Sequence, residues 1–214
     1  MQKIVELILE KSPVDYITTD LLHMILGGSK DRLYSIVKRA LASKDLVRVR
    51  RGLYVLGEKY RRFKISEVIL SQRIYSPSYL SFEYALSFHG LIPDIVQRVL
   101  SASYYRSQVF ETQVGIYEYY HIPLKPFFLG VQRHKNQFGN GFLIAGPERA
   151  LCDLIYKKKI KWVNISVLVQ GYRVEEEELL KFNQKLLIDV ADNYPVIFVK
   201  KFINKLVKEI NNVL

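Results

Sequence analysis

The sequence GGSKDRLYSIVKRALASKDLVRVRRGLYVL, residues 27–56, decides the fold of the first part of the chain. Ser29 follows two glycines, and serine is a favoured N-cap of a helix. Apolar residues then recur at helical spacing and predict one buried stripe: Leu33, Ile36, Val37, Ala40 and Leu41. After them, apolar residues alternate at strand spacing on either side of a predicted Arg51-Gly52 turn: Val47, Val49, Leu53 and Val55. The stretch therefore predicts a helix followed by a two-stranded hairpin.

Basic residues concentrate in and around this stretch. Residues 30–64 contain twelve lysines and arginines against three acidic residues, a net charge of +9. Residues 1–64 carry +7 in total, whereas the much longer remainder, residues 65–214, carries only +4. A helix that can enter a groove, followed by a basic hairpin, is typical of a winged helix-turn-helix domain. The alternative is a solvated amphipathic helix beside an ordinary hairpin.

The preceding segments have lengths suited to that motif. A short amphipathic helix through Ile4 and Ile8 is predicted to end before Pro13. A second helix is predicted to begin at a threonine N-cap, Thr18 or Thr19, and to end at Gly27-Gly28. The basic run at residues 59–64 either lies along a phosphate backbone or forms a solvated connection. We place the domain boundary after it, so that residues 1–64 form the DNA-binding domain.

The predicted partner is double-stranded DNA. Base contacts are expected from the early positions of the helix, because recognition helices insert their N-terminal end first, and backbone contacts from the hairpin. A single copy on an inverted-repeat operator would bury too little surface, so we expect two copies per operator. The residues to which we assign DNA binding are Ser29, Lys30, Arg32, Tyr34, Ser35, Lys38, Arg39, Arg48, Arg50 and Arg51.

Residues 65–214 read as a larger mixed α/β domain, so the predicted fold class is α+β with a mostly antiparallel sheet and C-terminal helices. A helix over 82–88 ends at Gly90, and a β-rich pattern runs through 98–122. Further strands are predicted at 127–131 and 141–145, separated by a polar loop at 132–140. A helix opens at Pro147, and the rest of the chain is mostly helical.

No constellation typical of catalysis, a metal site or a cofactor site stands out. The four histidines lack metal-ligand spacing, and Cys152 has no second cysteine nearby. Glu148 and Asp153 suggest a nuclease carboxylate pair, but five residues apart on a helix they do not share a face. Tyrosines on the predicted sheet could stack on single-stranded nucleic acid, although sheet packing explains them more simply. The alternative function is a nuclease-like, nucleic-acid-processing enzyme targeted by a winged helix.

Composition indicates a folded, cytoplasmic protein. Hydrophobic residues make up 49% of the chain, yet the apolar runs are too short to cross a bilayer, so no membrane partner is expected. The first residues do not form a secretory signal segment, since Glu6 and Glu10 interrupt them. One cysteine excludes a disulfide framework within the chain.

Three segments resemble the AbiEi family of antitoxins and transcriptional repressors from abortive-infection (type IV) toxin–antitoxin systems. They are YLSFEYALSFHGLIPDIV at 79–96, FLIAGPERALCDLIY at 142–156, and the hairpin sequence Arg51-Gly52-Leu53-Tyr54. The resemblance covers about residues 15–185, while residues 195–214 do not align to the family pattern. It implies a repressor of its own operon and an antitoxin activity in the C-terminal domain. It also implies a nucleotidyltransferase-type toxin as functional partner, without a stable complex being required.

Overall fold

The chain forms two compact units in the computed structural model, which describes residues 3–12, 14, 16–93, 96 and 98–213. The first unit consists of Met1–Ile74 together with Glu111–Ile116, and the second of Tyr75–Phe110 together with Tyr117–Leu214. Residues 65–74 thus group with the first unit, although the predicted domain boundary lies before them, after residue 64. That boundary stays a prediction. No helix within the described residues is long and apolar enough to span a lipid bilayer.

Helices and a small sheet make up the first unit. The elements are α1 (Lys3–Lys11), β1 (Tyr16–Thr18), α2 (Thr19–Leu26), α3 (Lys30–Ala42), β2 (Leu46–Arg50), β3 (Leu53–Leu56), a 3-10 turn (Glu58–Tyr60) and α4 (Glu67–Ile74). The three strands lie in the order β1-β3-β2, and both pairings are antiparallel. The sequence pattern did not predict β1, which pairs Ile17 with Tyr54.

The core of the first unit forms where the predicted apolar stripes meet. Leu33, Val37 and Ala40 of α3 are buried together with apolar residues of α1, α2, β2 and β3, while Ile36 and Leu41 are half-buried. Thr18 caps α2 by accepting a hydrogen bond from Leu21 N, and Gly27 ends that helix, as predicted. Pro13, predicted to stop α1, lies outside the described residues.

The second unit combines a six-stranded sheet with helices. Its strands are β4 (Ser78–Leu80), β5 (Val99–Ser103), β6 (Gln108–Thr112), β7 (Gly115–His121), β8 (Val131–Lys135) and β9 (Gly141–Ala145), in the order β6-β7-β5-β4-β9-β8. Its helices are α5 (Phe82–Phe88), α6 (Pro147–Lys158), α7 (Ser166–Tyr172), α8 (Glu176–Leu180), α9 (Gln184–Asp192) and α10 (Ile197–Val213).

The chain is therefore α+β with C-terminal helices, as predicted, but the large sheet is mixed. β4 pairs antiparallel with β5 and β8 with β9, whereas β4 with β9 and β5 with β7 are parallel. The predicted strand at 127–131 is wrong: these residues form turns up to Val131, where β8 begins, and the predicted polar loop at 132–140 starts with this strand.

An ion pair buried at the centre of the second unit joins its helices to its sheet. Arg149 Nε donates to Asp153 Oδ1 over 2.8 Å, one turn apart on α6, and both side chains are fully buried. Arg149 also donates to the Leu129 carbonyl and to the Tyr79 hydroxyl. Asp153 accepts further hydrogen bonds from Ser81 (2.6 Å), Tyr79 (2.9 Å) and Tyr194. The pair is thus satisfied on both sides, which buried charges require.

This network places residues of the two longer segments that carry the family resemblance against each other. Tyr79 and Ser81 come from the segment at 79–96, while Arg149 and Asp153 come from the segment at 142–156. Burial and the charge of Asp153 raise the pKa of Tyr79 and of Tyr194 far above the usual value, so both phenols stay protonated and donate. The role of these residues is to hold the second unit together.

Candidate nucleic-acid interface

Helix α3 exposes every side chain on it that we assigned to DNA binding. Its apolar stripe faces the core, and the rest of its circumference faces solvent. At 1.5 Å per residue its thirteen residues are about 20 Å long. Tyr34 is 70% exposed, large for an aromatic side chain. The assigned residues, all exposed, are Ser29, Lys30, Arg32, Tyr34, Ser35, Lys38 and Arg39, and the acidic Asp31 and Ala42 are exposed on the same helix.

The N-terminal end of α3 is fixed by its cap. The hydroxyl of Ser29 accepts a hydrogen bond from Arg32 N at 3.3 Å, as the N-cap prediction required. Gly28 has a positive φ of +85°, and a Cβ on it would lie 3.2 Å from both Cδ and an Nη atom of Arg32. The side chain of Arg32 therefore folds back over a glycine that leaves room for it.

The hairpin between β2 and β3 presents the three predicted arginines to solvent. Its register shifts between Arg48, opposite Tyr54, and Arg50, opposite Leu53. Between the two arginines Val49 is buried, while Arg48, Arg50 and Arg51 are exposed. Gly52 completes the turn with a φ of +80°, a conformation that favours glycine.

The hairpin turn is also tied to the start of α2. Thr19 N donates a hydrogen bond to the Gly52 carbonyl over 3.0 Å. Thr19 follows the N-cap, where the first backbone N–H groups of a helix have no partner within it. The hydrogen bond satisfies one such group and fixes the position of the basic turn against the helical part of the unit. Nothing in the sequence indicated this contact.

The cations of this surface form no salt bridge with any residue that the structure describes. Within the described ranges, no carboxylate forms a salt bridge with Lys30, Arg32, Lys38, Arg39 or the three hairpin arginines. Arg39 makes only a long hydrogen bond of 3.4 Å from Nε to the Ser35 carbonyl. Uncompensated exposed charge of one sign raises the local potential and attracts anionic polymers.

The basic run at 59–64 is used differently. Lys59 lies 3.3 Å from Asp45 and over the ring of Tyr60, and Arg61 Nε donates to the Leu56 carbonyl over 2.7 Å. Arg62 Nη2 donates to the Ser12 carbonyl over 2.7 Å. Of the two alternatives left by the sequence, these contacts favour a connection that packs on the first unit.

Asp45, between α3 and β2, is the one acidic residue buried in the first unit's described ranges. The Ser43 hydroxyl donates to it over 2.7 Å, and this hydrogen bond, opposed by burial and aided by Tyr60 and Lys59, lowers its pKa. The backbone beside it is tightly packed, since Gly57 N donates to the Asp45 carbonyl over 2.7 Å. A Cβ on Gly57 would lie 2.1 Å from the Lys44 carbonyl oxygen, so the position requires glycine.

The residues considered as catalytic candidates are buried or form hydrogen bonds that support the fold. Glu148 accepts a hydrogen bond from Asn183 N at 2.8 Å, while Asp153 belongs to the buried network, so the two carboxylates serve different partners. Cys152 is fully buried, and burial raises the pKa of its thiol. His89 ends α5 and its Nε2 lies 2.8 Å from the Ala145 carbonyl. Within the described ranges, no group of three His, Cys, Asp or Glu residues could hold a metal ion.

Comparison with known proteins adds no relative to this picture. No protein-family model matches the chain, and no curated protein matches it either. The function proposed below therefore rests on the exposed basic surface of α3 and the hairpin, together with the resemblance described above.

Proposed function

We propose that the chain is a sequence-specific DNA-binding repressor whose first unit is a winged helix-turn-helix, with α3 as recognition helix and the β2–β3 hairpin as wing. The observation that carries the proposal is the exposed basic surface formed by one helix and one hairpin. Seven cations on it lack an acidic partner within the described residues. The element order and the antiparallel sheet support it as well, because a winged helix places a hairpin directly after its recognition helix.

The proposed groove contacts lie at the N-terminal end of α3. A B-DNA major groove is about 12 Å wide and admits a helix. Lys30, Arg32 and Tyr34 occupy the first turns of α3, the end that enters the groove first. Arginine is suited to bidentate contact with guanine, so Arg32 is the proposed base-reading residue. The hairpin arginines hold phosphates and position the helix.

We further propose that the second unit supplies an antitoxin activity against a nucleotidyltransferase-type toxin encoded in the same operon. The support is the resemblance, two segments of which meet in the buried network around Asp153. Repression by the first unit and neutralisation by the second would then be separable functions of one chain. No stable complex between the two proteins is required.

The DNA-binding proposal is tested with the full chain and the DNA immediately upstream of its reading frame. Footprinting should reveal an inverted repeat with half-sites about one helical turn, or a multiple of it, apart. Arg32→Ala should cost about 1–3 kcal/mol on this operator and relax one base preference. The control is random DNA of equal length and salt, on which the variant should lose much less. Equal losses on both would assign Arg32 to a phosphate contact, and the absence of a protected site would refute sequence-specific binding.

The antitoxin proposal is tested in a host that expresses the downstream reading frame as toxin. The experiment keeps the full chain, because residues 65–74 group with the first unit. A variant with Arg48, Arg50 and Arg51 replaced by alanine should restore growth as well as the unmodified protein does, although it no longer represses. Growth rescue that is lost with these arginines would mean that toxicity is controlled through DNA, and the proposed division would be wrong.

A further inference from the structure

A cavity of about 600 Å³ opens in the second unit, and its described lining residues all belong to that unit. Five segments converge on it: α5, β5 with the residues before it, β7, the end of α6 and the end of α7. Its volume falls in the range of small-molecule sites. Its described charged lining residues are Glu83, Arg98, Glu118, Lys157, Lys158 and Arg173.

The charged groups of this cavity form two linked clusters. Glu83 accepts from Lys157 at 3.3 Å and lies 3.0 Å from Lys158. Glu118 accepts from Arg98 at 2.7 Å and from the Tyr120 hydroxyl at 2.8 Å. The ammonium of Lys157 lies 4.1 Å from the centre of the Tyr120 ring, which connects the two clusters. These contacts hold the cavity wall in a defined arrangement.

Both carboxylates stay ionised near neutral pH. Burial is the largest single influence and would raise the pKa of Glu83, but the charge of Lys157, a backbone hydrogen bond and the contact with Lys158 together outweigh it, so the pKa is lowered. For Glu118, burial is likewise outweighed by the hydrogen bonds from Tyr120 and Arg98. Burial and the hydrogen bond to Glu118 raise the pKa of Tyr120 to about 12, so this phenol remains a donor. The cavity therefore presents fixed charges.

The described residues that line this cavity include more cations than carboxylates. Among its described lining residues, four cations face two carboxylates, which leaves a net charge of +2. Arg98 and Lys158 keep 65% and 41% of their side chains exposed despite their ion pairs, so their remaining N–H groups can reach a ligand. A phosphate monoester carries about −1.5 to −2 near neutral pH and would neutralise this excess. Arginine and lysine are the usual phosphate ligands.

The remaining lining residues can contact the ribose and the base of a nucleotide. The oxygens of Glu83 and Glu118 can accept hydrogen bonds from hydroxyl groups, as carboxylates beside a ribose do. Ile92, Leu100 and Tyr172 supply an apolar and aromatic side on which a planar base can pack. We infer that this cavity binds a mononucleotide, with its phosphate at Arg98 and Lys158 and its ribose hydroxyls at Glu83 and Glu118. Such a site lies beyond the proposed DNA binding and does not depend on it.

The test is isothermal titration of the full chain with AMP, GMP, CMP and UMP, each compared with its nucleoside and with inorganic phosphate. At least one mononucleotide should bind at one site per chain, and more tightly than its nucleoside and than free phosphate. Arg98→Ala and Lys158→Ala should each weaken its binding about tenfold or more, because each removes a charge-assisted contact. Lys208→Ala, which removes an equal charge from an exposed position on α10, should leave binding unchanged.

Three outcomes would overturn the inference. The first is the absence of saturable binding for all four mononucleotides at concentrations up to about 5 mM. The second is binding that survives in an Arg98→Ala/Lys158→Ala double variant whose thermal unfolding is unchanged. The third is binding that disappears when the hairpin arginines are replaced instead, since this would place the nucleotide on the DNA-binding surface. Because operator binding is measured separately, none of these outcomes bears on the repressor proposal.

Discussion

Replacing Arg48, Arg50 and Arg51 with alanine removes three exposed charges from the β2–β3 hairpin. If each arginine neutralises one phosphate, at about 0.9 per contact, the slope of log K against log salt should fall by about 2.7 for each copy of the protein that binds. Between 50 and 200 mM salt, the unmodified protein should then lose about 40-fold more affinity per bound copy than the variant does. Fluorescence anisotropy with labelled operator and with random DNA, at four or five salt concentrations, measures both slopes. The fall should be the same on the two DNAs, because phosphate contacts carry no sequence information.

The structure supplies a matched control for this experiment. Lys201, Lys205 and Lys208 are exposed on α10 in the second unit, and their replacement with alanine changes the net charge by the same amount. This control variant should keep the original slope, and urea unfolding should show that neither variant loses more than about 0.5 kcal/mol per substitution. An unchanged slope in the hairpin variant would mean that the hairpin does not touch DNA. An equal fall of the slope in both variants would mean that the net charge of the protein, and not contact by the hairpin, determines the salt dependence.

Three further predictions concern stability, measured by urea unfolding of the full chain. Asp153→Ala should cost about 3–5 kcal/mol, because it leaves a fully buried guanidinium without its counter-charge; a loss under 1 kcal/mol would show that water or relaxation compensates. Gly57→Ala should cost about 1–3 kcal/mol, since its Cβ would overlap the Lys44 carbonyl, whereas Gly171→Ala, with open space around it on α7, should stabilise by about 0.5–1 kcal/mol. Asp45, whose pKa is lowered in the folded state, stabilises above the ordinary carboxyl pKa of about 3.9 and loses this contribution as pH falls. The deficit of Asp45→Asn should therefore stay constant above about pH 5 and shrink as the pH falls below about 3.9, and a deficit that does not change over this range would contradict the assignment.

The helical elements of the first unit could be predicted because their signals are local. These signals are the caps at Thr18 and Ser29, the stop at Gly27 and an apolar stripe. Each lies within a few residues of the element that it specifies. The β2–β3 hairpin was predicted by alternation and a glycine turn. By contrast, β1 is three residues long, too short to show the two-residue periodicity of a strand. It forms because it pairs with β3, more than thirty residues away in the sequence.

The sheet of the second unit shows where local signals fail. β8 reads VQRHK, a mostly polar sequence, and it lies at one edge of the sheet, where few of its side chains are buried. Its pairing with the apolar β9 makes it a strand, and no pattern within it could indicate this. The parallel pairing of β4 with β9 likewise depends on which strands meet, a property of the whole domain.

The exposed candidate residues were predictable and the cavity was not. An amphipathic helix reveals its solvent face from spacing alone, so the positions on α3 followed from the sequence. Glu83, Glu118 and Lys157 come from three separate elements and converge only in the folded unit. The i, i+4 spacing of Arg149 and Asp153 was visible in the sequence, but their burial and their tyrosine partners were not.

The burial of Cys152 has a practical consequence for fluorescence work on this protein. The thiol is fully enclosed in α6 and its pKa is raised, so the thiolate that reacts with maleimides does not form at neutral pH. The native chain is therefore inert toward thiol-specific dyes as long as it is folded. A single cysteine introduced at an exposed position outside the proposed DNA contacts, for example Ala42→Cys at the C-terminal end of α3, would be the one reactive thiol. A dye attached there would report DNA binding from the helix itself, with the native cysteine left in place.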